Sequence, residues 1–286
     1  MSCKNSPRNS RPLLEVTPGG ALLHRNGLDS FETIWSLDAP WVEEPNFRRQ
    51  GWSGVCRLTV DESSGPPVII YLKRQENHGY RSLLSPLRLR PTAFREYKRL
   101  KSMQAAGVAA PEVLYYGERH TGKALQAILI TREVPQSIAF EDYMGLADKR
   151  PASEVGQVLQ DTARLIGRLH RHRIQHCALY GKHVLISGYR SGNPTTASPE
   201  QRLVPYLIDV EKARRKPSRI SIARRDLNQF FRHAPWTEAH WETFLDHYVI
   251  ACRMKPLKSL LTWLIQRKVR RKKIRRRAAG KQETAN

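Results

Sequence analysis

HCALYGKHVLI, residues 176–186, is the stretch whose reading decides the fold. It follows a long amphipathic helical pattern and runs into a short apolar segment, so it reads as a loop between a helix and a strand. His176 opens it, and His183 stands at the start of the strand. A histidine, a gap, a metal-ligand residue type and then a strand make the layout of a phosphotransfer loop. Such a loop would carry its acid two residues after His176, but Ala178 stands there.

Working outward, residues 153–172 set Val155, Val158, Leu159, Thr162, Leu165, Ile166 and Leu169 at helical spacing on one face. Downstream, HVLIS (183–187) and VPYLIDV (204–210) read as two short strands around a polar loop. Asp209 ends the second strand and opens a loop, a common place for a metal ligand. His183 and Asp209 could then reach one cation, with phosphate oxygens completing its shell. Helices are expected over 221–233 and 237–252.

The first half reads differently. Residues 1–40 show no strong period and are expected to be mostly loop. GWSGVCRLTV (51–60) alternates Cys56, Leu58 and Val60 with polar neighbours, DESSGPP (61–67) is turn chemistry, and VIIYLKR (68–74) is a β-branched strand. Together they predict a hairpin. Lys73 shares a strand face with Ile69 and Tyr71, either at an exposed edge or reaching into a cleft. Residues 78–91 read as an Arg-rich loop. A helix is expected over 92–107, with Thr92 as N-cap, an apolar stripe of Phe94, Tyr97, Leu100 and Met103, and Gly107 as the stop. Glu96 flanks that stripe. Residues 112–134 give two more strands around a His-Thr-Gly-Lys turn, so residues 50–134 form a small antiparallel sheet with one inserted helix.

Composition sets the bounds. With 286 residues, 40% of them hydrophobic, the chain can build one two-lobed domain or two small ones. Cys3, Cys56, Cys177 and Cys252 form no CxxC pair and suit a reducing compartment. The N-terminus lacks the apolar core of a signal peptide, and runs such as VIIYL (68–72) are too short to span a bilayer. A cytoplasmic protein is expected. The net charge of +23 attracts polyanions of every kind: nucleic acid, anionic lipid or phosphorylated substrates.

Strand lysine, helix glutamate, helix, histidine-rich loop, strand, strand-end aspartate is the order of a protein kinase-like fold. The chain resembles the lipopolysaccharide kinase family (Kdo/WaaP-type), most closely its InaA-like branch. The resemblance rests on YLKRQENH (71–78), FREYKRLKSMQAAGVAAPEVLYYGE (94–118), ILITREV (128–134), HRHRIQHCALYGKHVLIS (170–187), LIDVEKAR (207–214) and RRDLNQFFR (224–232). It implies an α+β, two-lobed protein kinase-like fold, with a small antiparallel-sheet N-lobe and a mostly helical C-lobe. It also implies ATP with Mg²⁺ and phosphoryl transfer to a sugar hydroxyl of the lipopolysaccharide core at the cytoplasmic face of the inner membrane. By resemblance, Lys73 meets the nucleotide phosphates, Glu96 holds Lys73, Asp209 and His183 bind metal, and Asp226 braces the catalytic loop. The segment ILITREV, with Glu133, matches the strand and hinge that meet the adenine. The expected organisation is an N-terminal extension (1–40), an N-lobe (41–135), a C-lobe (136–255) and an amphipathic basic C-terminal helix and tail (256–286).

Two departures stand out. The glycine loop is reduced to GWSG, leaving Gly51 and Gly54 to approach the nucleotide. The catalytic aspartate is replaced by Ala178, which cannot accept a proton. A general base supplies roughly 10²–10⁴ in rate, whereas phosphoryl transfer rests mainly on positioning and charge neutralisation. The enzyme is therefore slow, or the fold is a pseudokinase with a regulatory or scaffolding role. His176 and Cys177 are the nearest groups that could replace the base, and Lys182 could neutralise a transferring phosphate. His170, His172, His176, Cys177 and His183 match no common zinc spacing, and His170 and His172 suit a helix C-terminus as cations. In the C-terminal stretch, Leu257, Leu261, Leu264, Ile265 and Val269 share a face before the dense Lys/Arg run. This suits an anionic membrane surface. Nucleic acid binding is the weaker reading, because no aromatic platform or recognised motif accompanies the basic run.

Overall fold

A computed structural model describes residues 14–48, 51–82, 85–122, 124–189 and 202–265. The chain divides into two compact units, Met1–Lys101 with Pro111–Glu133, and Ser102–Ala110 with Val134–Asn286.

The first unit is built on a six-stranded sheet, ordered β1-β7-β8-β4-β3-β2, with antiparallel pairing throughout. Its strands are β1 (Leu14–Val16), β2 (Asn46–Arg48), β3 (Gly51–Val60), β4 (Val68–Glu76), β7 (Val113–Thr121) and β8 (Ala124–Arg132). The predicted hairpin is β3–β4, closing on the pair Val60↔Val68. Alternation drives it: Cys56 and Val60 from β3 and Ile70 and Leu72 from β4 are buried in one core with Leu114, Tyr115, Ile128 and Ile130.

Residues 14–40 are not mostly loop. They hold β1, α1 (Gly20–Arg25) and α2 (Phe31–Ser36), and Leu22, Leu23, Leu28, Phe31 and Ile34 join the same core. Elements of three to six residues are too short to show a period. Residues 78–91 are likewise not a loop but a hairpin of β5 (Gly79–Ser82) and β6 (Ser85–Pro91). Its Arg-rich composition hid the alternation of Leu87 and Leu89 with Arg88 and Arg90.

Helix α3 (Thr92–Ala105) follows. Its first turn is capped by a strand residue rather than by Thr92: Gln75 Oε1 accepts from the Ala93 amide at 2.8 Å and from the Thr92 hydroxyl at 3.0 Å. Gly107 takes φ +63° just past the end, the left-handed stop its position predicts.

Arg74 is buried in this unit. Its guanidinium donates to the Trp35 and Leu37 carbonyls at 2.8 and 2.7 Å and lies 4.7 Å from the Trp41 ring centroid. Trp52 touches both Trp35 and Trp41, with centroids 5.6 and 5.7 Å apart. Arg74→Met should cost about 2–4 kcal/mol, because two partly buried carbonyls lose their charged donor. Urea unfolding of the full chain checks this.

The second unit is mostly helical. It contains α4 (Phe140–Gly145), α5 (Ala152–Arg171), α6 (Arg219–Arg232) and α7 (Glu238–Ala251). A three-stranded sheet orders β12 (Val204–Leu207), β11 (Val184–Ser187) and β9 (Ser137–Ala139), and a short ribbon pairs β10 (Ile174–Gln175) with β13 (Arg214–Arg215). The face predicted for α5 is buried at every named position. Ser218 and Thr237 cap α6 and α7, accepting from Ser221 N and His240 N. Phe140, Phe230, Trp236, Trp241 and Phe244 form an aromatic core, with neighbouring centroids 4.9–5.5 Å apart. Residues 258–265 are helical, with Leu261 and Ile265 buried and Trp263 exposed. The basic run from 266 onward, including Val269, lies outside the described residues.

Candidate functional site

In the first unit, Lys73 and Glu96 form the expected pair. Lys73 lies on the less buried face of β4, and Glu96 stands in the second turn of α3. Lys73 Nζ is 2.7 Å from Glu96 Oε2, with both side chains largely buried. A charge-assisted bond this short fixes the ammonium in place, suited to meeting a phosphate oxygen.

Glu133 follows β8, where its amide donates to the Ile69 carbonyl at 2.9 Å. Its carboxylate accepts from the Tyr71 hydroxyl at 2.9 Å and lies 3.5 Å from Arg57 Nε. Burial, and then the Glu133 carboxylate, raise the Tyr71 phenol above its ordinary pKa. Gly51 and Gly54 lie within β3, not in a loop. A Cβ at Gly51 would fall 2.5 Å from the Asn77 carbonyl carbon, and one at Gly54 2.5 Å from the Trp41 ring. The close approach that demands glycine at both is to the chain's own atoms.

In the second unit the loop after β10 is hung on Asp226. This carboxylate, on α6 and with no exposure, accepts from the His176 amide at 2.6 Å and the Cys177 amide at 3.2 Å. Behind it, His170 Nε2 lies 3.2 Å away, and His170 Nδ1 lies 2.8 Å from the Tyr248 hydroxyl. Burial pushes the Asp226 pKa up. The hydrogen bonds and charge of His170, with the His176 amide, outweigh this and hold it below the ordinary carboxylate range.

His170, expected at a helix end, does stand in the last turn of α5, wholly buried against Asp226; His172 is exposed. The sequence held a signal for this: His170 comes four residues after Ile166 and so continues the buried face of α5. Tyr248, on the apolar face of α7, carried no such mark.

His176 is also wholly buried, its Nε2 donating to the Ile208 carbonyl at 2.9 Å. Burial lowers its pKa, so the ring is neutral at pH 7. This position ties the loop to the residue preceding Asp209 and gives the ring no route to a substrate hydroxyl. The Cys177 thiol is pushed up by burial, which keeps it protonated. Neither residue is placed as a replacement base.

The Ala178 carbonyl accepts from His183 Nδ1 at 2.8 Å. With that nitrogen donating, the lone pair of His183 lies on Nε2. Asp209 Oδ2 is 3.5 Å from Nδ1, so sequence-distant His183 and Asp209 do meet. Asp209 holds its carboxylate from a left-handed backbone at φ +54°, which aspartate tolerates better than most residues. Lys182 is exposed. Gly181 admits no side chain, since a Cβ there would sit 2.7 Å from both the Glu141 Cβ and the His233 carbonyl oxygen. Gly181→Val should displace the loop and with it His183, readable as lost metal affinity.

Among the described residues no three His, Cys, Asp or Glu side chains gather as a metal site. A pair of ligands is what a cation shared with nucleotide phosphates needs, since the phosphates and water fill the remaining positions. The residues thus fit a nucleotide-bound divalent cation and do not fit a closed structural one.

The chain is 29% identical over 223 residues to Protein InaA of Escherichia coli K12, covering 77% of this chain and 95% of InaA. It is 26% identical over 166 residues to the lipopolysaccharide core heptose(I) kinase WaaP of Pseudomonas aeruginosa PAO1, covering 56% of this chain and 59% of that one. A solved structure described as WaaP in complex with acyl carrier protein superposes with a TM-score of 0.61 at 18% identity, covering 91% of this chain and 99% of that one. It shares the two-lobed kinase-like fold expected from the order of motifs. The model of the lipopolysaccharide kinase (Kdo/WaaP) family matches residues 32–248, and the chain belongs to that family.

Proposed function

We propose that the protein transfers the γ-phosphoryl group of ATP to a sugar hydroxyl of the lipopolysaccharide core, at the cytoplasmic face of the inner membrane. The observation that carries this reading is the meeting of His183 and Asp209, Nδ1 to Oδ2 at 3.5 Å, with His183 Nδ1 tied to the Ala178 carbonyl. His183 and Asp209 would hold a divalent metal, which neutralises phosphate charge when bound. Lys73, oriented by Glu96, would meet the nucleotide phosphates. The Glu133 segment would border the nucleotide. Among the described residues no helix is long and apolar enough to cross a membrane. The exposed Trp263 and Leu260 on the 258–265 helix support docking of the 256–277 segment on an anionic surface.

A nitrogen ligand beside one carboxylate softens the site relative to an all-oxygen Mg²⁺ shell. Mn²⁺ should therefore bind with the nucleotide at least as tightly as Mg²⁺, and His183→Asn should weaken Mn²⁺ more than Mg²⁺. Calorimetric titration of the full chain with ATP and each metal checks this.

A pseudokinase reading is favoured by one observation: Ala178 offers only a methyl side chain, and its carbonyl is already engaged by His183. The two readings part in one experiment, transfer of γ-labelled phosphate to lipopolysaccharide by wild type, Asp209→Ala and Ala178→Asp. Label that disappears in Asp209→Ala supports the kinase. A wild type no more active than Asp209→Ala, together with an Ala178→Asp variant that gains transfer, supports the pseudokinase.

A further inference from the structure

Tyr180 stands two residues after Ala178 and three before His183. Main-chain hydrogen bonds fix its place in the loop. Its amide donates to the Ala178 carbonyl at 2.9 Å, and its own carbonyl accepts from the His183 amide at 3.0 Å. The same Ala178 carbonyl accepts from His183 Nδ1 at 2.8 Å. That last bond fixes one ring atom of His183. The ring can still swing about it, because a carbonyl accepts over a broad range of directions. The bond alone therefore sets neither the plane of the imidazole nor the direction of its second nitrogen.

Other rings meet that plane. Tyr180 lies edge to face with His183, with centroids 5.4 Å apart and planes at 71°. His176 lies 6.3 Å from His183 at 28°. Tyr180 in turn meets His233, 4.7 Å away at 79°. Edge-to-face contacts are directional, because the positive edge of one ring seeks the negative face of the other. His233 is the C-cap of α6, the helix whose Asp226 holds the start of the loop. One helix thus grips the loop at two points, about 10 Å apart along its axis. Gly181, next to Tyr180, has no room for a side chain against the His233 carbonyl.

Filling the core does not account for Tyr180. Phe230 and Phe244, which do fill it, are wholly buried, whereas Tyr180 is half-buried and His233 exposed. We infer that Tyr180, braced by His233, is a positioning residue: its ring sets the plane of the His183 imidazole, and so the direction in which that histidine can bind a cation. The inference rests on the metal-binding reading proposed above, and the test separates the two. Partners that orient a metal-binding histidine are typically worth about 10–100-fold in metal affinity.

Full-length protein with isotope-labelled histidine rings is followed by NMR without metal, and His183 is assigned from its loss in His183→Asn. Wild type should show one sharp set of His183 ring signals, protonated at Nδ1. Tyr180→Leu should broaden them or mix the tautomers. Tyr180→Phe, which keeps the ring, should look like wild type, and His233→Ala should fall between. The same proteins are then titrated with Mn²⁺ in the presence of ATP. Tyr180→Leu should bind Mn²⁺ about tenfold more weakly, and pulsed EPR should show a reduced coupling of the His183 nitrogen to Mn²⁺. Thermal unfolding shows which variants fold. His233→Ala, at an exposed position, tests the same contacts if Tyr180→Leu does not.

Unmoved His183 ring signals and undiminished nitrogen coupling in a folded Tyr180→Leu overturn the inference, whatever its Tm. So does a Tyr180→Phe variant as damaged as Tyr180→Leu, since the ring would then not be what acts. If the His183 ring depends on Tyr180 but no nitrogen coupling to Mn²⁺ is seen in wild type, the ring-setting role stands and the metal reading falls. Nitrogen coupling in wild type that survives Tyr180→Leu and His233→Ala gives the reverse.

Discussion

Asp226→Ala is expected to lower stability by about 3–5 kcal/mol, the scale seen when one member of a buried charged pair is removed, and to lower Tm by about 10 °C. The effect is large because one carboxylate holds so much. It accepts from the His176 and Cys177 amides and from His170 Nε2, all in a site with no exposure. Alanine would leave those donors buried and unmatched. Asp226→Asn is the milder change, since its amide oxygen still accepts while its NH₂ faces a donor. The pH dependence follows from the directions of the shifts. The folded state holds Asp226 below the ordinary carboxylate range, so its contribution is complete above that range and is lost as pH falls through it. Buried His176 has a lowered pKa, so the unfolded chain takes up its proton first as pH falls below about 6.5. Stability should thus decline in two acid steps. His176→Gln should flatten the first and Asp226→Asn the second, each followed by urea unfolding from pH 8 to pH 3.

Asp209→Ala is expected to reduce phosphoryl transfer by about three orders of magnitude, since a bound metal supplies several kcal/mol of charge stabilisation. The paired change, His183→Ala, should fall in the same direction and add little to the first, because in the proposed function both hold one cation. Stability should hardly change, because Asp209 is exposed and, among the described residues, its ion pair is the 3.5 Å one to His183. This separates it from Asp226→Ala, where folding and activity fail together. Two single variants and a double, measured for transfer and for Mn²⁺ affinity in the presence of ATP, make the comparison. Losses that multiply in the double variant would place His183 and Asp209 on separate tasks.

The sequence made the long elements legible and the short ones opaque. α5 and the β3–β4 hairpin could be read because their elements, of 20, 10 and 9 residues, are long enough to show a period. The elements within 14–40 are three to six residues long and get their burial from the sheet, which no local window reports. Lys73 and Glu96 were read from their order on strand and helix, and His183 with Asp209 from their places at two strand ends. The helix-end place of His170 was legible, but its burial against Asp226 was not, because only the fold brings Asp226 of α6 behind it. The cap of α3 was misassigned for the same reason: Gln75 is distant in sequence from the turn it closes. His176 and Cys177 were read as groups that could replace the base from their place in the motif, while the burial of His176 against the Ile208 carbonyl depends on the fold.

The placement of the six tryptophans gives each unit its own optical signature. Trp35, Trp41 and Trp52 form one ring cluster, with the buried Arg74 guanidinium over the Trp41 ring. Trp236 and Trp241 sit 4.9 Å apart among phenylalanines, while Trp263 is half in solvent. Native fluorescence is therefore a sum of three separable populations, and phenylalanine at 236, 241 and 263 would leave a spectrum reporting on the sheet-bearing unit alone.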